Sequence, residues 1–395
     1  MTDAYGLAYD PAAMRLYVAN RGPVHKVTVV DVTGDRIVGR IDLGDKEPYV
    51  LSVNPDSGHL FVVCDGEVRV FRTLDWQPVT TISLPAGPDS RIALDEVRDR
   101  VLVTAFDGRK LSVIQDRWPS LVLFASNRDG NSELYRMLPD GREPLRLTFS
   151  ADASEQMAVG SPSGRWIAYA RAEGDISHIW VMSRDGHRQL MLTDGPGSFV
   201  QPTWSPDGAR LAFAGNRGDG WGIYMLSLAD GGVGKVNIQD DMPWRAAHNP
   251  DWSWATDRIA YDAHGVDGGA SIFDMKPDGT DVRQITANPD ADRLPGWAPD
   301  GKRITFWGAR QEQSVFIATV GVYTATQLLP ASLAPTTPAW PPGGEMILFT
   351  GYLAPGAASE VLRVRPDGSK IELLSNLPAA EDYSPGWLPG RPMGE

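Results

Sequence analysis

Carboxylates recur on the segments that join one group of apolar strands to the next: Asp152 and Glu155, Asp194, Asp240 and Asp241, Asp251, Asp290 and Asp292, Glu381 and Asp382. Acids gathered on one face could hold a hard divalent cation such as calcium, or attract a basic protein or peptide. In a chain with 50 acidic and 37 basic residues, net charge −13, the same acids also serve as solvated surface. The longest of these segments, 239–248, adds Trp244, Arg245 and His248 to Asp240 and Asp241. That is the aromatic, guanidinium and carboxylate mixture on which interface energies concentrate. The expected partner-contacting set is Asp194, Asp240, Asp241, Trp244, Arg245, His248, Asp292, Glu381 and Asp382.

Covalent catalysis finds little support. No Gly-x-Ser-x-Gly turn presents a serine nucleophile, and Arg217-Gly218-Asp219-Gly220 reads as a turn, not as a phosphate cradle. His178, His248 and His264 could share one face, yet no His-x-x-x-His spacing marks a metal site. The lone Cys64 excludes an intrachain disulfide and a four-cysteine zinc site, and in Leu60-Phe-Val-Val-Cys64 it reads as a small buried hydrophobe. The acid excess, without any Lys/Arg-dense stretch, excludes nucleic acid as a partner. No run approaches the roughly 18 apolar residues of a membrane span, and Met1-Thr-Asp-Ala-Tyr5 does not open a signal peptide.

What would position these side chains is a repeat. An aromatic residue, a short Pro/Gly turn and an apolar strand recur as Trp204-Ser-Pro-Asp-Gly208, Trp254-Ala-Thr-Asp257, Trp297-Ala-Pro-Asp-Gly301, Trp340-Pro-Pro-Gly-Gly344 and Trp387-Leu-Pro-Gly390, with a Trp-less copy at Gly160-Ser-Pro-Ser-Gly164. The tryptophans stand 43 to 50 residues apart, the period of a four-stranded propeller blade. Each turn leads into a strand such as Trp166–Ala170, Leu211–Ala214 or Ile304–Trp307, then to an Asp-Gly hairpin and a short outer strand. Their fixed place in the repeat marks the tryptophans as packing between blades, ahead of any role in stacking on carbohydrate.

The strand count predicts an all-β fold in two parts. Residues 121–149 supply the second, third and fourth strands of a blade, while Ser384–Gly390 supplies a first strand with no blade to follow. Deficit and surplus match, so the C-terminal strand should complete the blade containing Phe124 and close a six-bladed ring over about 120–390. Residues 4–116 repeat differently, with two complete blades and a third that lacks its outer strand. The expected domains are 1–117, an incomplete array of about three blades, and 118–395, the ring. Open blade faces in the first part should dock or self-associate, not stand alone in solution.

At the Trp-Ser-Pro-Asp-Gly turns, and at Phe124-Ala-Ser-Asn-Arg-Asp-Gly-Asn-Ser-Glu-Leu-Tyr135, the chain resembles the WD-repeat-like propeller domains of TolB and its relatives, over about 120–390. Arg15-Leu-Tyr-Val-Ala-Asn20 is similar to the YVTN family of propeller repeats. The first resemblance implies a periplasmic or extracellular setting. It also implies a choice of function, because such blades occur in peptidase gating domains, polysaccharide lyases and binding proteins. The expectation is a non-enzymatic scaffold that binds a protein or peptide through an acidic channel mouth. The alternative is a lyase or hydrolase acting on a glycan, in which His178, His248 and His264 would surround a metal.

Overall fold

The computed structural model describes residues 3–390 except 12, 56, 96–99, 106–108, 117, 237, 239–245, 266–268, 288–289, 311, 323, 355 and 377–379. The described residues form 35 strands and a single 3₁₀ turn, Ala331–Leu333. Among the described residues no helix is long and apolar enough to cross a membrane. The strands pair as nine antiparallel sheets among the described residues, numbered here in chain order. Two compact units result, centred on Met1–Trp118 and on Pro119–Met182 with Gln189–Arg391.

In the first unit, sheets 1 (residues 3–42) and 2 (48–83) have four strands each, and sheet 3 (92–115) has three. Strand alternation explains the packing: Tyr17, Val27 and Ile41 of sheet 1 turn one apolar face onto Leu51, Leu60 and Val62 of sheet 2. The opposite face of sheet 2, with Phe61, Val63 and Val68, packs on Val101, Val103 and Ile114 of sheet 3. Cys64 is fully buried in the first of these cores, and burial pushes its thiol up to about 12, so it is an inert packing residue.

The second unit holds sheets 4 to 9. Sheet 4 is assembled from both ends of the unit: Asp382–Leu388 pairs antiparallel with Leu121–Ser126, placing Trp387 opposite Val122. Sheets 5 (154–191), 6 (198–235), 7 (246–284), 8 (291–327) and 9 (336–373) each run in simple sequence order from first to fourth strand. Their faces meet in six apolar clusters, joining sheet 4 to 5, 5 to 6, 6 to 7, 7 to 8, 8 to 9, and 9 back to 4. The last cluster packs Val122, Phe124 and Met137 on Leu348 and Val361, which closes the circle of clusters. The hairpins before the outer strands fit tightly. Gly141 adopts φ 85°, and a Cβ there would strike the Leu374 carbonyl of the neighbouring sheet.

Candidate binding cavity

The first strands of the six sheets in the second unit line one cavity of about 410 Å³. Its wall repeats a four-residue phrase: Gln201-Pro-Thr-Trp204, Asn249-Pro-Asp-Trp252, Leu294-Pro-Gly-Trp297, Thr337-Pro-Ala-Trp340 and Ser384-Pro-Gly-Trp387, with Met157-Ala-Val-Gly160 in sheet 5. In every copy the first residue is left-handed: Met157 (φ 57°), Gln201 (58°), Asn249 (50°), Leu294 (56°), Thr337 (46°) and Ser384 (49°). The register against the second strand slips at the same point in all six sheets. Each copy is thus a bulge, and proline fits it because the bulged residue donates nothing to the ladder. Left-handed non-glycine residues cost on the order of 1 kcal/mol or more each and cluster where the backbone is shaped for a task.

This motif corrects one part of the sequence reading. Trp252, 2% exposed, occupies the position of Trp204 and Trp297, whereas Trp254 is 40% exposed in the turn that follows. Two tryptophans two residues apart cannot be told apart by spacing, and the proline before Trp252 was the discriminating signal.

Polar side chains stitch the first strands together. The Trp252 backbone N–H donates to Thr203 Oγ1 (3.0 Å), and the Trp297 N–H donates to Asp251 Oδ2 (2.6 Å) in the same structural position one sheet on. The Gln201 and Asn249 side chains bond each other, and Asn249 Nδ2 donates to the buried Asp262 carboxylate (2.6 Å). Among the described residues lining the cavity, Asp251 is the one with an ionisable side chain. Burial pushes its carboxyl up to about 7, and the single backbone hydrogen bond from Trp297 only partly opposes this.

The acids expected on exposed connections lie elsewhere in part. Asp292 and Asp382 sit within first strands and are fully buried. Arg310 Nη2 reaches Asp292 at 2.9 Å, and Arg128 Nη2 holds both Asp382 oxygens at 2.9 and 2.8 Å. Arg128 stacks over Tyr135 and Phe124, as Arg310 does over Phe316 and Phe306. These two acids are therefore clamped to arginines of their own sheets and present no free carboxylate. Glu155, also buried, accepts Ser150 Oγ at 2.8 and 2.9 Å; burial and the neighbouring Glu133 push it up to about 7 against that hydroxyl. Glu381 accepts the Ser359 N–H at 2.7 Å, and Asp194 is exposed. Asp240, Asp241, Trp244 and Arg245 lie outside the described residues.

His248 belongs to a strand, Ala246–Trp252, and not to a loop. Its ring lies 5.1 Å from both Trp221 and His264, and burial lowers its pKa against the pull of Asp262. His264 Nε2 lies 2.9 Å from Asp262 Oδ2, while His178 stands apart beside Phe199. Among the described residues no group of three or more His, Cys, Asp or Glu side chains is arranged to hold a metal ion.

Consecutive four-stranded antiparallel sheets, closed by the C-terminal strand and lined by their first strands, define a β-propeller repeat protein. The TolB beta propeller domain matches residues 161–391, and the chain belongs to that family. A protein TolB homolog from Chlorobium luteolum is 28% identical over 193 residues, covering 48% of this chain and 42% of that protein. The Tol-Pal system protein TolB from Anaeromyxobacter dehalogenans is 38% identical over 85 residues, 21% of this chain and 19% of its own. The chain therefore spans less than half the length of these curated relatives. The crystal structure of TolB from Acinetobacter baumannii has the same fold, with TM-score 0.58 and 16% identity over 86% of this chain and 82% of that one.

Proposed function

We propose that this chain is a non-enzymatic binding scaffold whose second unit takes a segment of a protein or peptide partner into the cavity between the first strands. The observation that carries the reading is the cavity itself, apolar, walled by proline and tryptophan, and held by six bulges of one geometry. Concave, largely preformed sites with few polar groups are where proteins bind partners of limited size. A wall of fixed bulges loses little entropy when a ligand enters. The name of the Anaeromyxobacter relative, a protein of the Tol-Pal system, is in keeping with a role among other proteins.

The test is selection of a random dodecapeptide library on the full chain, repeated on Ala255→Trp. Ala255 is exposed and lies at the cavity wall, so added bulk there obstructs the cavity without entering a packed core. Selected peptides should bind the plugged variant at least tenfold more weakly, with its thermal melt unchanged. Peptides that bind both proteins equally would place the interface elsewhere. Selective binding of oligosaccharides by the same cavity would favour the glycan reading instead.

A further inference from the structure

Thr203 and Asp251 hold equivalent positions in neighbouring copies of the wall phrase, and both accept the backbone N–H of the next sheet's tryptophan. Thr203 makes that bond with a neutral hydroxyl. The other copies place Val159, Gly296, Ala339 and Gly386 there, so nothing in the architecture calls for a charge. Asp251 keeps a carboxylate at this point although its neighbours are indoles and prolines and no charged group contributes to its environment. Its Oδ2 is occupied by Trp297, and among the described residues no donor reaches Oδ1. A carboxylate with one unoccupied oxygen in an apolar cavity is stabilised most by a cation entering from outside.

We propose that the cavity is a cation-recognition site in which Asp251 anchors one organic ammonium or guanidinium group whose apolar flank packs on the surrounding tryptophans and prolines. This rests on the cavity being the binding site, but it is separable from the peptide reading, because the cation can arrive on a lysine or arginine side chain or as a free amine.

The experiment titrates the full chain with n-butylammonium, with Nα-acetyl-lysine methylamide and with neutral 1-butanol at pH 8.5, following tryptophan indole N–H resonances. Wild type should prefer each cation over butanol by at least tenfold. Asp251→Thr copies the Thr203 arrangement and keeps the bond to Trp297, so the fold is retained while the charge is removed; the preference should vanish in it and in Asp251→Asn. It should also vanish in wild type at pH 5.5, where the carboxyl is protonated. A tighter lysine derivative identifies a side-chain source and equal affinities a free amine; both orders support the assignment. A cation preference that survives in both variants, or no preference in wild type, overturns it. In that case peptide binding sensitive to Ala255→Trp would leave the scaffold reading standing.

Discussion

Arg128 and Asp382 join two strands that are 254 residues apart in the chain, and the carboxylate is completely buried. Removing the guanidinium while leaving the acid strands a charge in a low-dielectric site, which typically costs about 3–5 kcal/mol. Arg128→Met should therefore lower the urea midpoint sharply, and adding Asp382→Asn should restore a substantial part of the loss. If the double variant is no more stable than Arg128→Met, the pair is not the reason for the cost. The residues of the clamp have a signature in the sequence. Phe124 and Arg128, Phe213 and Arg217, and Phe306 and Arg310 share one four-residue spacing. In the first and third pairs the arginine lies over that ring, whereas Arg217 lies over Phe199 and Tyr224. Reading the acids alone, without the arginines that face them across the sheet, made Asp292 and Asp382 look exposed.

At the scale of the element, the strand Asp382–Leu388 is the one that the matched deficit and surplus assigned to sheet 4, and pairing with Leu121–Ser126 is what the structure shows. This was legible because strand counting needs only period and hydrophobicity. The bulges were not, because a left-handed residue is specified by the tertiary register and carries no residue preference of its own: Met, Gln, Asn, Leu, Thr and Ser all occupy the site. Only the proline that follows in five copies hinted at a break in the ladder. Removing residues 381–395 should expose the edge of Leu121–Ser126, all of whose residues are buried, and take Trp387 and Leu388 from two inter-sheet clusters. The truncated chain is expected to lose its cooperative melt and aggregate on size-exclusion chromatography. A synthetic peptide of residues 381–391 should restore the melt by strand addition. Unchanged melting of the truncated chain would show that the ring does not depend on this closure.

For the whole molecule, Asp251 and Glu155 each make a contribution to stability that changes with pH against the direction of the acids held low by hydrogen bonds and arginines. Asp251 and Glu155 both hold their protons up to about pH 7 in the folded chain, against an ordinary 3.8 and 4.5, and burial is the leading cause for each. The unfolded chain releases these protons near pH 4, so across pH 4 to 7 the folded state binds more protons. The contribution of these two groups therefore falls as pH rises through that window, and its loss is complete above pH 7. The Asp251 side chain lines the cavity and is only half-buried, so solvent screening holds its loss to on the order of 2 kcal/mol. Asp251→Thr removes this dependence and keeps the hydrogen bond to Trp297, so its urea midpoint should gain on wild type from pH 4 to pH 7 and hold that lead above it. A gain of constant size at every pH would trace the effect to packing and not to the proton. Parallel curves with no gain would show that the cavity leaves the carboxylate as well solvated as open water does. The same measurement repeated in n-butylammonium chloride links stability to binding, because a ligand that recognises the ionised form should raise the wild-type midpoint at pH 8 and leave Asp251→Thr unmoved. Sodium chloride at the same concentration controls for ionic strength, and a midpoint that rises equally in both salts would remove the cation from the account.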